Sequence, residues 1–179
     1  MRSLLALTAC LCGGCTFSLV DPVTVTRPPP VVLATGQPEP WAIALDDTTV
    51  YWTNVSMPDP RLGTVAKIVK DKSTGAVTIA RMQGDPGTVA LDAQFVYWTT
   101  RRTGTIMRAA KNGATGPETL ASNQGQPVGM VVDDNAVYWT DADRGLIQMR
   151  AKNDPAAAVQ TIATGQGQPW LLAQDAGNL

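Results

Sequence analysis

The sequence predicts an all-β fold, a partial β-propeller with three four-stranded blades and the first strand of a fourth. Two observations carry this prediction. A Val-Tyr-Trp-Thr signal occurs at 50–53, 96–99 and 137–140, so that successive signal tryptophans are 46 and 41 residues apart. Each signal lies among short apolar runs separated by Gly, Asp, Asn and Pro, which is typical of strands joined by tight turns. Four short strands, repeated about every 40 residues, are the pattern of propeller blades.

Four matched elements follow one another in each repeat, and each of them predicts one strand. The first is apolar and ends in an acidic turn: PWAIALDD from Pro40, PGTVALDA from Pro86 and PVGMVVDD from Pro127. The second is the Tyr-Trp signal itself. The third begins at a glycine and the fourth is a short closing run: AVTIA, PETLA or VQTIA. The repeats fill 33–179, with predicted blades at about 33–80, 81–121 and 122–162 and a partial blade at 163–179.

Adjacent bulky residues indicate that both faces of the second strand are buried. Neighbouring side chains on a strand point to opposite faces, and a blade stacked between two others hides both of them. A β-sandwich is the alternative, but it would leave one polar face on each strand. The predicted core therefore contains six aromatic residues of the repeats: Tyr51, Trp52, Tyr97, Trp98, Tyr138 and Trp139.

At these residues the chain resembles the YWTD repeats of lipoprotein-receptor-type propellers, and also related bacterial envelope propellers with NHL-like repeats. The resemblance covers 33–179 and is closest at VYWTDADRGLIQMRAKND, whereas the final Asp of the motif is replaced by Asn54 and Thr100 in the first two repeats. In that family the motif is structural, which implies that the aromatic side chains pack between blades.

The N-terminus predicts export. Arg2 and the apolar run from Leu4 to Cys12 are typical of a secretory signal, here assigned to residues 1–14. Small residues before Cys15 resemble a bacterial lipoprotein signal, which implies lipidation of Cys15; Cys10 or an ordinary cleaved signal are the alternatives. Thr16 after that cysteine favours the outer membrane. Residues 15–32 are a predicted Pro-rich linker.

Several classes of function are excluded or disfavoured by composition. The chain has no histidine, and no cysteine follows Cys15, so Ser-His-Asp and Cys-His sites and disulfides after that residue are excluded. A formal net charge of -1 gives no basic surface for nucleic acid. We expect no cofactor, no metal site and no catalytic residue. The recurring Asp46, Asp92, Asp133 and Asp175 are interpreted as turn residues that bind backbone amides.

A binding surface is predicted on one rim of the propeller. The predicted turns leading into first strands are Gly36–Pro38, Gly84–Pro86, Gly125–Pro127 and Gly167–Pro169, and blade one carries extra residues at Ser56–Pro60. Loops on a rigid scaffold commonly carry binding residues. The candidate rim residues are Trp41, Gln126, Gln168 and Trp170, although both tryptophans could instead cap the core.

These features predict a non-catalytic binding or scaffold module of an exported lipoprotein. Its expected ligand is a protein, a peptide or a glycan, and its only membrane contact is the N-terminal lipid. The alternatives are a lactonase- or lyase-like propeller enzyme and a non-functional fragment. Because Leu179 aligns with Val137, just before Tyr138, the sequence ends one residue before a fourth Tyr-Trp position. We therefore expect either a truncated repeat array or self-association through open blade edges.

Overall fold

Three four-stranded antiparallel sheets make up the structure, as the sequence predicts. The computed structural model describes residues 29–57 and 59–175. The predicted signal peptide, Cys15 and the linker as far as residue 28 lie outside the described residues. All three sheets belong to one unit, Val32–Leu179. No helix in the described part of the chain is long and apolar enough to cross a bilayer.

Each sheet is formed by four strands that are consecutive in sequence, which is the arrangement of a propeller blade. Blade one contains β1 (Pro40–Leu45), β2 (Thr49–Asn54), β3 (Gly63–Val69) and β4 (Val77–Gln83). Blade two contains β5 (Pro86–Leu91), β6 (Phe95–Thr100), β7 (Thr105–Ala110) and β8 (Glu118–Ala121). Blade three contains β9 (Pro127–Val132), β10 (Ala136–Asp141), β11 (Leu146–Ala151) and β12 (Gln160–Ala163). Blade one thus runs to Gln83, beyond its predicted end near residue 80.

Buried aromatic side chains alternate between the two faces of each blade. Trp98 packs on blade one, in a cluster with Tyr51 and Val65, whereas its neighbour Tyr97 packs with Trp139 towards blade three. Both residues of this pair are fully buried. Five of the six predicted core aromatics are buried, and Tyr138 is partly exposed. The tryptophan of a repeat therefore packs on the preceding blade, and the tyrosine faces the following one.

Ion pairs join neighbouring blades at the acidic turns. Oδ1 of Asp92 accepts hydrogen bonds from the amides of Gln94 and Phe95 at 2.8 and 2.7 Å, which is the turn role that the sequence predicts. Its other oxygen accepts from Tyr97 and from Nζ of Lys152 in blade three, both at 2.7 Å. Burial raises the pKa of this carboxyl, but the hydrogen bonds outweigh burial and lower the pKa to about 2.

The same turn is repeated in blades one and three. Asp46 Oδ1 accepts from the amides of Thr48 and Thr49, and its Oδ2 accepts from Lys111 of blade two at 2.9 Å. Burial of Asp46 raises its pKa, yet the Lys111 hydrogen bond and the backbone amides lower it to about 2. Asp133 accepts from two backbone amides, each at 2.7 Å. The carboxylates of these turns thus hold the backbone in place.

Within the described residues, no first strand of a fourth blade is formed. Residues 164–175 contain no strand. Trp170 and Leu171 nevertheless lie against blade three, where a Cβ added to Gly129 would be 2.5 Å from the carbonyl oxygen of Trp170. A first strand bonds only to the second strand of its own blade, as β1, β5 and β9 do. Within the described residues, this segment has no such second strand, which explains the difference.

Candidate functional site

A cleft of about 530 Å³ lies beside Trp41, on the rim that the sequence predicts for binding. Its wall includes Glu39 and Trp41 of blade one and Asp85 and Arg101 of blade two, together with Met57 from the extra residues after β2. The cleft therefore spans the junction between two blades. Trp41 and Met57 are both largely exposed, so that apolar surface remains accessible in it.

Arg101 determines the electrostatics of this cleft. Its guanidinium carbon lies 4.4 Å from the centroid of the Trp41 ring, within the range of a cation–π interaction. Nη2 of Arg101 also donates to Oδ1 of Asp85 at 2.8 Å, and both side chains are largely buried. The Nε atom is buried without a hydrogen-bond partner among the described residues. Arg101 is thus fixed by a ring and a carboxylate, and its buried Nε–H donor has no partner among the described residues.

The local sequence explains how Arg101 comes to lie there. Gly87 has no side chain, and a Cβ added to it would lie 3.4 Å from Cγ of Arg101. Position 101 follows the last residue of β6, where blade one has the buried Val55 and blade three the buried Ala142. A charge thus replaces an apolar residue in one repeat only. Arg101 was missed as a site residue, although this break in the repeat was a signal that could have identified it.

The remaining predicted rim residues are not part of this cleft wall. Gln126 forms two hydrogen bonds through its backbone in blade three. Its amide donates to Asp141 Oδ1 at 3.3 Å, and its carbonyl oxygen accepts from the amide of Ala142 at 2.9 Å. Gln168 and Trp170 belong to the segment beside blade three; Gln168 has a positive φ of 47°, and Trp170 is half-exposed. The structure brings Trp41 together with Asp85 and Arg101 rather than with these three residues.

The turns that lead into the first strands have a different register from the sequence alignment. Pro40 pairs with Asn54 and Pro86 with Thr100, so that Glu39 corresponds to Asp85 and Gln126, whereas Gln37 corresponds to Gln83. Glu39 and Asp85 share a positive φ, of 42° and 56°. The predicted alignment of Gly36–Pro38 with the turns of the other blades is therefore wrong. Both Pro38 and Pro40 could precede the first strand, and the structure begins β1 at Pro40.

Glutamines at the true equivalent position bind the signal tryptophans. Gln37 Oε1 accepts from Nε1 of Trp52 at 3.0 Å, and Gln83 Oε1 accepts from Nε1 of Trp98 at 2.9 Å. In blade three the corresponding atoms of Gln124 and Trp139 are both buried without a partner in the described part of the chain. These glutamines have a structural role that the sequence analysis missed.

Among the described residues, no group of three or more Cys, Asp or Glu side chains is placed to hold a metal ion. Asp141 is fully buried and accepts from the amides of Gln126 and Arg144. Its carboxylate is thus engaged by the amides of two turns and by the guanidinium group of Arg144, at 3.4 Å.

Comparisons with known proteins show the same fold. No protein-family model and no curated protein matches the chain. A chain of the nidogen/laminin complex matches with a TM-score of 0.64 at 26% identity, over 76% of this chain and 53% of that chain. The designed protein Ika4 matches with a TM-score of 0.64 at 14% identity, over 80% of this chain and 84% of that one. Virginiamycin B lyase from Staphylococcus aureus matches with a TM-score of 0.56 at 14% identity, over 74% of this chain and 44% of the lyase.

The chain therefore spans about half of the nidogen-complex chain and less than half of the lyase. These neighbours are propellers, and they include a protein in a complex and an enzyme. The sequence repeats, the three blades and the solved structures agree, and the chain is a β-propeller repeat protein.

Proposed function

We propose that this chain is a non-catalytic binding module of an exported protein, and that it binds a peptide in the cleft between Trp41 and Arg101. The observation that supports this proposal most directly is the stacked pair of Trp41 and Arg101. The half-exposed ring of Trp41 has its centroid 4.4 Å from the guanidinium carbon of Arg101. Tryptophan and arginine are enriched among the residues that dominate binding energies. At about 530 Å³, the cleft falls within the range of ordinary ligand sites.

The composition of the cleft favours a peptide over a glycan. Val55 and Met57 offer apolar surface on one side, whereas Glu39 and Asp85 add negative charge beside Arg101. In this arrangement an apolar side chain packs on Trp41 and Met57, while a polar group of the peptide contacts the guanidinium group of Arg101. Amphipathic ligands of this kind bind through a few anchors surrounded by polar groups.

A non-catalytic role is supported by the side chains available. The sequence contains no histidine, and Asp85 in the cleft is already paired with Arg101 at 2.8 Å. General acid–base catalysis needs a group that is free to exchange a proton with the substrate. A lyase has the same fold, so an absence of turnover is part of the expected result.

Binding can be tested with a displayed peptide library, followed by calorimetry on the selected peptide. We expect Trp41→Ala to weaken binding about tenfold or more, which corresponds to about 1.4 kcal/mol. Trp170→Ala is the matched control, because Trp170 is similarly exposed but belongs to another surface. Thermal melts of both variants should match the unsubstituted chain within a few degrees.

Two results would contradict this proposal. One is a selected peptide whose affinity is unchanged by Trp41→Ala. The other is turnover of a lactone or streptogramin-type substrate that Asp85→Asn abolishes, since this would make the cleft an active site.

Export by a lipoprotein pathway is part of the same proposal. It is supported by the apolar run from Leu4 and by the small residues before Cys15, which resemble a lipoprotein signal. Mass spectrometry of the protein isolated from membranes should find an acylated N-terminal Cys15, and Cys15→Ser should release the protein from the membrane fraction. A mature form that begins at another residue and carries no acyl chain would disprove the anchor.

A further inference from the structure

The turn that leads into the first strand carries an acidic residue in blades one and two. Glu39 and Asp85 both have a positive φ, of 42° and 56°, and each accepts a backbone hydrogen bond from the residue that follows the second strand of its blade. Val55 donates to the carbonyl oxygen of Glu39, and Arg101 donates to that of Asp85, both at 3.0 Å. Val55 of blade one therefore corresponds to Arg101 of blade two.

The two equivalent acids differ in their counter-ions. Nη2 of Arg101 donates to Oδ1 of Asp85 at 2.8 Å, and both side chains are largely buried. In blade one the place of that arginine is taken by Val55, which is apolar and buried. Among the described residues, the exposed side chain of Glu39 forms no hydrogen bond and no ion pair. Blade one thus presents a carboxylate without the counter-ion that the equivalent carboxylate of blade two has.

Glu39 lies on the wall of the cleft beside Trp41, so that its charge acts on a ligand bound there. The charged groups of that wall are the carboxylates of Glu39 and Asp85 and the guanidinium group of Arg101. Because Asp85 and Arg101 neutralise each other, the negative charge of Glu39 is left uncompensated. The other wall residues are apolar, and they include Trp41, whose indole is the side-chain ring that attracts cations most strongly. All of these residues belong to blades one and two.

We propose, resting on the proposed function, that the peptide bound in this cleft is basic. Its lysine or arginine side chain pairs with Glu39, while an apolar side chain packs on Trp41 and Met57. The ligand's cation thus has towards Glu39 the role that Arg101 has towards Asp85. An acidic peptide is disfavoured, because Glu39 repels it and because the guanidinium group of the wall is already paired and its side chain is only 14% exposed.

A displayed library of random peptides, selected on the full-length chain and on its Glu39→Lys variant, tests the charge preference. Peptides selected on the unsubstituted chain should be enriched in lysine and arginine. Those selected on the variant should be enriched in aspartate and glutamate, because the substitution reverses the uncompensated charge. The bond from Val55 to Glu39 uses only backbone atoms, so that thermal melts of the two proteins should agree within a few degrees. Two peptide pools of equal charge would overturn the proposal.

A double-mutant cycle on one selected peptide measures the ion pair itself. Glu39→Gln in the protein and replacement of the basic residue by glutamine in the peptide should each weaken binding about fivefold, which is the upper end for an exposed pair. The two changes together should weaken binding no further than either change alone. Asp143→Asn is the matched control, because it removes the same charge from an exposed position in the β10–β11 turn of blade three. It should change the dissociation constant by less than about twofold.

Comparison with Trp41→Ala distinguishes a failure of the charge preference from a failure of the binding site. A peptide that loses affinity with Trp41→Ala but not with Glu39→Gln would leave the cleft as the binding site and refute its preference for basic peptides. Losses from the two halves of the cycle that simply add, or an equal effect of Asp143→Asn, would refute the pairing with Glu39 in the same way. A selected peptide that is unaffected by Trp41→Ala would refute both the proposed function and the basic ligand.

Discussion

Nε1 of Trp98 donates a hydrogen bond to Oε1 of Gln83 across 2.9 Å, at the interface between blades one and two. Trp98 is fully buried, and Gln83 is the last residue of the strand β4 in the preceding blade. A single contact thus fixes the polar edge of a large apolar side chain across the blade boundary. Trp52 and Gln37 form the same contact at 3.0 Å.

Gln83→Met should destabilise the chain by about 1–3 kcal/mol, because it leaves the buried indole N–H of Trp98 without an acceptor. Gln124→Met is the matched control, since Oε1 of Gln124 and Nε1 of Trp139 have no partner in the described structure. Urea unfolding should show the smaller loss for the Gln124 variant. Equal losses would mean that the indole hydrogen bond contributes nothing.

Trp98→Ala should destabilise the chain by about 3–5 kcal/mol, because it empties a fully buried aromatic site between two blades. Arg101→Ala would be an unsuitable comparison, because Arg101 is ion-paired with Asp85 and stacked on Trp41. Arg102→Ala is the better control, because Arg102 is exposed and should change stability by less than about 0.5 kcal/mol. The measurement is chemical denaturation followed by tryptophan fluorescence.

The Asp92 turn should make stability depend on pH in the acid range. Its folded pKa of about 2 lies below the ordinary value of 3.8. A lowered folded pKa means that the stabilisation is fully present well above pH 4 and is lost as the pH falls towards 2. Asp92→Asn should therefore cost on the order of 2 kcal/mol at pH 6 and much less near pH 2. Urea melts across this range would contradict the assignment if the cost of Asp92→Asn did not change with pH.

Gly125→Ala should be more harmful than Gly113→Ala. Both glycines have positive φ, of 57° and 78°, so both substitutions strain the backbone by about 1 kcal/mol. A Cβ at Gly125 would also lie 2.5 Å from Oδ1 of Asp141, whereas nothing lies within 4 Å at Gly113. The difference between the two variants in thermal melts isolates this contact, and similar melting temperatures would show that Asp141 can move.

Repetition made the blades predictable from sequence. Three copies of the Tyr-Trp signal, each with matched flanking runs, identify the strands without relying on the strand propensity of any one segment. Adjacent bulky residues such as Tyr97 and Trp98 indicate that both faces of the strand are buried. The fourth-blade strand was predicted by the same logic, but residues 164–175 form no strand because a strand also needs a partner for its hydrogen bonds.

The candidate site was predicted only in part. Trp41 was identified because it departs from the repeat, but the stacking of Arg101 on it depends on the space above Gly87 and on the packing of two blades. Such a contact joins residues that are far apart in sequence and have no shared motif. The pairing of glutamines with tryptophans was missed because a shifted alignment of Pro38 with Pro86 placed Gln37 at the wrong position.

The alternation of tryptophan and tyrosine between faces also determines how the chain can unfold. The two larger apolar clusters are each built from two blades, whereas a smaller one lies within blade one. Loss of one blade removes its side of the apolar cluster that it shares with a neighbour, which couples adjacent repeats in the manner of a one-dimensional array. The cooperative unit is therefore a pair of blades rather than a single sheet. Blade two belongs to both pairs, and its opening exposes the cores on both sides at once.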